Sequence, residues 1–148
     1  MGPDPARDAP DPRGGEAVTA FLDTNVLIRH LTNDPPDQGA KATGYLARAD
    51  NLLLPDLIVA EVAYVLESFY EAPRARVAET LRAVLAFPAI RVVDDELLLR
   101  TVEVYEGHRL DFADAYLVAS AERTGVEEVV SVDRAIDRVG TVRRVEPT

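Results

Sequence analysis

The stretch VTAFLDTNVLIR, residues 18–29, sets the fold class of this chain. Its first five residues are apolar or β-branched, which predicts a short buried strand. Asp23 ends that strand, and residues 26–31 predict a short helix directly after it. A strand that passes at once into a helix is typical of proteins in which helices cover a parallel sheet.

The same alternation continues to the end of the chain. Further strands are predicted at residues 51–54, 90–93, 128–131 and 142–145, and helices at residues 37–49, 57–70, 74–86, 95–106, 112–123 and from 133. Asp37 and Asp111 are predicted to cap two of these helices. We therefore expect a three-layer α/β/α fold with a central, mainly parallel sheet of four to five strands.

The N-terminal segment differs from the rest of the chain in composition. Residues 1–17 are rich in proline, glycine and charge and lack an apolar period, which predicts a disordered tail. The remainder, residues 18–148, is predicted to form one domain. Because residues 1–17 lack an apolar stretch, we expect no secretory signal there, and no apolar run in the sequence approaches the ~20 residues that span a bilayer. We expect a cytoplasmic protein without membrane contact.

The charge balance restricts the function. The chain has 26 acidic and 16 basic residues, a formal net charge of -10, and Lys41 is its only lysine. This balance does not favour nucleic-acid binding through bulk charge, so such a substrate would need a metal or a basic partner to offset the acids locally. The absence of cysteine excludes thiolate metal sites and cysteine nucleophiles.

Two acids follow predicted strands. Asp23 comes directly after the first strand, and Asp133 falls just past the fourth. Ligands of open α/β sheets bind beyond the carboxyl ends of the strands. We therefore expect these two carboxylates at the same edge of the sheet.

A third acid, Glu61, belongs to the long predicted helix at residues 57–70. The predicted apolar arc of that helix is formed by Ile58, Val62, Val65 and Phe69. Helical periodicity places Glu61 on the border of this arc and places Glu67 and Glu71 on the opposite, solvated side. Glu61 is therefore predicted to point inward.

A fourth acid, Asp114, lies inside an apolar helix face. Helical periodicity places it between Leu117 and Val118, with Ala121 on the same face. A carboxylate is costly to bury unless it is paired or coordinates a metal. Asp114 is therefore predicted to be a metal ligand.

Each acid also has a simpler explanation. Asp23 and Asp133 are plausible helix caps, and Asp114 would interact favourably with a helix dipole. Glu61 would serve equally as a solvated flank residue, and Asp111 as a cap first and an outer metal ligand second. One shared pocket explains all the positions together, and we favour that interpretation.

Hard carboxylate oxygens are the ligands that Mg²⁺ or Mn²⁺ prefers. Such a metal activates water and stabilises charge on phosphoryl oxygens, which predicts hydrolysis of a phosphodiester. Thr24, Asn25 and Ser131 are predicted to support the acids or a phosphate by hydrogen bonds. The sequence lacks the glycine-rich nucleotide-binding loops and the nucleophile elbow. Its two histidines, His30 and His108, fit no metal-binding spacing.

Four stretches resemble the PIN-domain ribonucleases, and in particular VapC-type toxins of toxin–antitoxin pairs. They are FLDTNVLIR at 21–29, PDLIVAEV at 55–62, LDFADAYLVA at 110–119 and VSVDRAID at 130–137. The resemblance implies a PIN-like fold in which Asp23, Glu61, Asp114 and Asp133 are catalytic metal-binding acids, supported by the hydroxyls of Thr24 and Ser131. In the fourth stretch, Val132 stands where the family commonly has an aromatic residue.

The resemblance also implies partners. A VapC-type toxin would cut RNA, form a homodimer and bind a cognate antitoxin whose tail enters the active site. The acidic balance fits a basic antitoxin segment, and residues 57–86 are where we expect the antitoxin or dimer contacts. Two other functions stay open: a non-catalytic binding scaffold with the same fold, and a metal-dependent phosphoesterase with a substrate other than RNA.

Overall fold

The computed structural model describes residues 17–148. The predicted disordered tail lies outside this range except for its last residue. Within residues 17–148 the order of elements alternates short strands with helices, as the sequence predicts.

Five short strands form the sheets of the described chain. They are β1 (Ala20–Phe21), β2 (Leu52–Leu53), β3 (Ile90–Arg91), β4 (Glu128–Val130) and β5 (Arg143–Val145). Strands β1, β2 and β3 pair in that order, β4 pairs with β5, and every pairing is parallel. The predicted α/β class is confirmed, but the hydrogen-bond ladder is divided in two instead of running through one sheet.

Six α-helices and one short 3-10 helix surround the strands in residues 17–148. The helices are α1 (Thr24–Thr32), α2 (Pro36–Arg48), α3 (Asp56–Ser68), α4 (Arg74–Leu85), α5 (Asp95–Gly107) and α6 (Phe112–Thr124), and the 3-10 helix is Arg134–Arg138. Helix α6 ends at Gly125 with a φ of 74°, the left-handed conformation that glycine adopts freely. The prediction that Asp37 caps α2 is wrong, because that helix begins at Pro36, a residue suited to the first helical position.

Helix packing brings distant parts of the chain together. Helix α3 contacts α1, α4 and α6, and α6 also contacts α5 and the 3-10 helix. The fully buried core side chains come from strands and helices alike; they include Leu27, Leu54, Val62, Leu81, Leu98, Tyr105 and Ile136. None of the helices in the described range is both long and apolar enough to cross a membrane.

The buried face of α3 differs from the predicted arc. Its buried side chains are Val59, Val62, Ala63 and Leu66. Phe69 is 73% exposed, and Glu61 is exposed instead of pointing inward. The face of α3 that packs on neighbouring helices contains the small residue Ala63, which allows those helices to approach α3 closely. The buried arc is rotated by about one residue from the predicted arc. The solvated position predicted for Glu67 is also wrong, since this half-buried carboxylate accepts a hydrogen bond from the Tyr105 hydroxyl.

Candidate metal centre

Three carboxylates converge where α6 meets the end of β4. Asp111, Asp114 and Asp133 each offer one oxygen, and these oxygens all lie within 4.8 Å of one another. Asp111 precedes α6, Asp114 lies in its first turn, and Asp133 precedes the 3-10 helix that packs on α6. We call these three residues the acid cluster.

Two arginines fix the loop that leads into the acid cluster. The Arg74 guanidinium donates hydrogen bonds to the Tyr105 carbonyl at 2.8 Å and to the Leu110 carbonyl at 2.6 Å. Arg138 donates to the Arg109 carbonyl at 2.9 Å. Charged donors make stronger hydrogen bonds than neutral ones, so these contacts set where α6 begins and where Asp111 lies.

Asp133 is fixed by local hydrogen bonds. The Ser131 hydroxyl accepts a hydrogen bond from the Asp133 amide at 3.0 Å, and the Asp133 carboxylate accepts one from the Ala135 amide at 2.9 Å. Asp133 is therefore a helix cap as well as a member of the acid cluster. The Ser131 contact holds its backbone in a turn.

The pKa values of Asp114 and Asp133 are shifted in opposite directions. The pKa of Asp114 is raised to about 6, first by burial and then by the hydrogen bond with Asp133 and the charges of Asp133 and Asp111. The hydrogen bond from Asp114 lowers the pKa of Asp133. Burial disfavours the charged form of Asp114, while hydrogen bonds favour the charged form of Asp133.

The raised pKa predicts how stability depends on pH. The ordinary pKa of Asp114 is 3.8, so above that pH the unfolded chain ionises this group while the folded chain retains the proton. Folding is then opposed increasingly as pH rises from about 4 to about 7. The lowered pKa of Asp133 acts only below its ordinary value of 3.8, outside this range. In EDTA, the melting temperature of the wild type, compared with that of Asp114→Asn, should therefore decrease as pH rises from about 4 to about 7.

Mn²⁺ should reverse this loss, because the cation offsets the repulsion that opposes ionisation. Circular dichroism melts between pH 4 and pH 7.5, with EDTA or with Mn²⁺, measure both effects. We expect Mn²⁺ to raise the melting temperature of the wild type at pH 7.5. Coincident melting curves with and without Mn²⁺ at that pH would contradict a metal site at the acid cluster.

The other two predicted acids lie outside the acid cluster. Asp23 is exposed at the N-terminus of α1 and makes no side-chain capping hydrogen bond. Glu61 is exposed on α3, and the buried Thr24 hydroxyl donates a 2.7 Å hydrogen bond to its carboxylate. The contact between α1 and α3 thus holds Glu61 beside the residue that follows Asp23. The four predicted acids are therefore divided between two groups of side chains.

The structure supports the simpler explanation for some of the predicted acids and not for others. Neither Asp23 nor Asp111 makes a side-chain cap, although each occupies the capping position. Asp114 does lie in the first turn of α6, where its charge is favourable. Asn25 is exposed and makes no side-chain hydrogen bond within residues 17–148. Capping alone accounts for Asp133 and does not explain why Asp111 and Asp114 meet it.

The acid cluster fits a divalent cation by its donor chemistry. All three donors are carboxylates, the hard ligands of Mg²⁺ and Mn²⁺. Asp111 is exposed, so water and substrate phosphate can complete the coordination. A divalent cation bound here would favour the ionised form of Asp114, whose pKa is raised in its absence.

Sequence reasoning missed the surface next to Asp23. A cavity of about 580 Å³ opens there, and three basic residues line it: Arg29, Lys41 and Arg48. The signal was present in the sequence, since residues 41, 45 and 48 share one face of α2.

The chain is similar to known proteins along most of its length. A family model described as PIN domain matches residues 20–142, a range that contains the acid cluster, Asp23 and Glu61. A VapC ribonuclease from Aquifex aeolicus (strain VF5) is 24% identical over 123 residues, which cover 81% of this chain and 91% of that protein.

Proposed function

Because the chain belongs to the PIN domain family, we propose that it is a ribonuclease that uses Mg²⁺ or Mn²⁺ to hydrolyse phosphodiester bonds. The observation that carries the proposal is the convergence of Asp111, Asp114 and Asp133 within 4.8 Å inside the matched region. Three carboxylates do not approach each other in this way without a cost, which a bound cation removes.

The proposed roles follow from where each side chain lies. Asp114 and Asp133 would hold the metal directly, with Asp111 completing the acid cluster. Asp23 and Glu61 would act from the α1 side, with Glu61 fixed by the Thr24 hydroxyl at 2.7 Å. Ser131 fixes the backbone of Asp133. When bound, the metal would supply an activated water and would offset the charge on the phosphoryl oxygens.

RNA as the substrate is supported by the similarity to a VapC ribonuclease. By the same similarity, we propose that the protein is the toxin of a type II toxin–antitoxin pair and acts in the cytoplasm. Its cognate antitoxin would place a basic segment against the acidic site, since the formal net charge of the chain is -10.

A homodimer is also part of the proposal. Helix α3 exposes Leu57 and Tyr64, and Phe69 is exposed just after it. Leu57 and Tyr64 are seven residues apart and share one face of α3, and exposed apolar side chains on one face are typical of surfaces that bind another protein. Sedimentation velocity tests this point: a monomer at tens of micromolar protein would contradict a homodimer.

The experiment that tests the function is cleavage of single-stranded RNA by the purified protein, in EDTA and after restoration of Mn²⁺. We expect cleavage only with Mn²⁺. Single-stranded DNA and bis(p-nitrophenyl) phosphate are measured in parallel. Hydrolysis of either one without cleavage of RNA would identify a different phosphoesterase. A folded protein that cleaves none of the three with Mn²⁺ would be a binding scaffold, and the nuclease proposal would be wrong.

A further inference from the structure

The cavity beside Asp23 lies between β1, α1 and α2 and has a volume of about 580 Å³. Its floor is apolar, formed by Leu22, Val26, Ala42 and Leu52, and its walls contain Phe21, Arg29, Gln38, Lys41, Tyr45 and Arg48. We call this cavity the α2 groove. Because Asp23 belongs to its lining, the groove reaches one of the acids of the proposed site.

The three cations of the α2 groove are exposed, and the described part of the chain gives none of them a carboxylate partner. Arg29, Lys41 and Arg48 form no ion pair with any carboxylate in residues 17–148. Many other arginines do form ion pairs, as in Arg82–Glu106, Arg100–Glu122, Arg123–Asp94 and Arg143–Glu128. In a chain with a formal net charge of -10, three cations in one cavity form a local positive site.

Two aromatic rings lie among these cations. Tyr45 is 45% exposed and Phe21 is 73% exposed, although rings of this kind usually bury most of their surface. Lys41, Tyr45 and Arg48 share one face of α2, since they are four and three residues apart. The Arg48 guanidinium lies 5.5 Å from the centroid of the Tyr45 ring. Cations that alternate with exposed aromatic rings are the pattern that binds single-stranded nucleic acid.

We propose that the α2 groove binds the single-stranded RNA substrate next to the bond that is cut, with backbone phosphates on Arg29, Lys41 and Arg48 and bases stacked on Tyr45 and Phe21. The assignment of the ligand as substrate rests on the proposed nuclease function. Stacking on these rings requires unpaired bases, which favours a single strand over a duplex. The groove also resolves the conflict between an acidic protein and a polyanionic substrate, because the contact needs positive charge only locally.

Binding is tested without cleavage. The affinity for a fluorescein-labelled single-stranded RNA oligonucleotide is measured by fluorescence polarisation in EDTA. We expect the triple variant Arg29→Gln, Lys41→Gln, Arg48→Gln to bind at least about tenfold more weakly than the wild type. The slope of log affinity against log salt should become shallower by about 2, since each phosphate contact on a single strand contributes about 0.7.

A matched control removes the same charge elsewhere. Arg76, Arg82 and Arg143 lie outside the groove, are substantially exposed and form ion pairs. The triple variant with glutamine at these positions should bind within about twofold of the wild type. If both triple variants lose affinity equally, only net charge matters and the proposal is overturned.

The aromatic contact has its own test. Stacking of a base on an aromatic ring is worth roughly 1–3 kcal/mol, so Tyr45→Ala should weaken binding about fivefold or more. Tyr45→Phe retains the ring and should bind like the wild type. Unchanged affinity of Tyr45→Ala would overturn the stacking assignment.

Two further measurements separate this proposal from others. The groove variants should hydrolyse bis(p-nitrophenyl) phosphate with Mn²⁺ at the wild-type rate, because this diester has no neighbouring backbone phosphates for Arg29, Lys41 and Arg48 to bind. If the nuclease proposal fails, the wild type does not cleave RNA with Mn²⁺, while polarisation in EDTA still reports on RNA binding by the groove. Tighter binding of a labelled poly-glutamate peptide than of RNA would assign the groove to an acidic protein segment and overturn the proposal.

Discussion

Replacement of Asp114 by asparagine is expected to reduce RNA cleavage at least about hundredfold. Asp114 is half-buried, and one of its carboxylate oxygens lies within 4.8 Å of an oxygen of Asp111 and of Asp133. Burial and then the neighbouring acids raise its pKa to about 6. Asparagine keeps the shape and a hydrogen bond to Asp133 but removes the charge that a cation needs. The fold should be retained, because the substitution also relieves repulsion in the metal-free state.

The matched control for this variant is Glu79→Gln. Glu79 lies on α4, its side chain is 73% exposed, and it forms an ion pair with Arg76 at 3.8 Å. We expect Glu79→Gln to cleave RNA at the wild-type rate. Initial rates of the three proteins with Mn²⁺, at matched concentrations and after circular dichroism confirms folding, measure the effect. A folded Asp114→Asn protein that cleaves as fast as Glu79→Gln would remove Asp114 from the catalytic centre.

Replacement of Tyr105 by alanine is expected to lower the free energy of unfolding by about 3–5 kcal/mol. Tyr105 on α5 is completely buried and lies against Phe112, with 5.9 Å between ring centroids. The Arg74 guanidinium lies 4.4 Å from the centroid of the Tyr105 ring. Alanine would leave a large cavity and would loosen Arg74, which holds the loop before Asp111. Since the free energy of unfolding of a single domain is only about 5–15 kcal/mol, this substitution would remove a large part of it.

Tyr105→Phe distinguishes the contribution of the ring to stability from that of the hydroxyl. That substitution keeps the packing but leaves the half-buried Glu67 carboxylate without the donor seen in the wild type. We expect a smaller loss, about 1–3 kcal/mol. Urea unfolding curves of the three proteins give these values. An unfolding free energy for Tyr105→Ala within about 1 kcal/mol of the wild type would contradict the structural role assigned to the ring.

Much of the architecture could be predicted because it depends on local patterns. Short apolar runs closed by Asp23 or Pro55 mark the strands, and Gly125 marks the end of α6. The position of Asp114 near an apolar face also follows from helical periodicity, although Leu117 is exposed and the buried side of α6 contains Phe112 and Ala115 instead.

The parts that could not be predicted depend on contacts between distant segments. The rotation of the α3 face, which exposes Glu61, arises from packing against other helices and not from the helix itself. The hydrogen bond between Tyr105 and Glu67 joins residues 38 positions apart, and no periodic pattern in the sequence predicts such a contact. Asp111 looked like a helix cap, yet the loop held by Arg74 turns its side chain into the acid cluster.

The central claim is that the acid cluster holds a divalent cation, and a calorimetric titration of Mn²⁺ into the metal-free protein at neutral pH tests it most directly. The wild type should bind Mn²⁺ with a saturable heat, and Asp114→Asn should show no saturable heat at the same concentrations. Absence of binding to the wild type at millimolar Mn²⁺, or equal binding to both proteins, would contradict the claim.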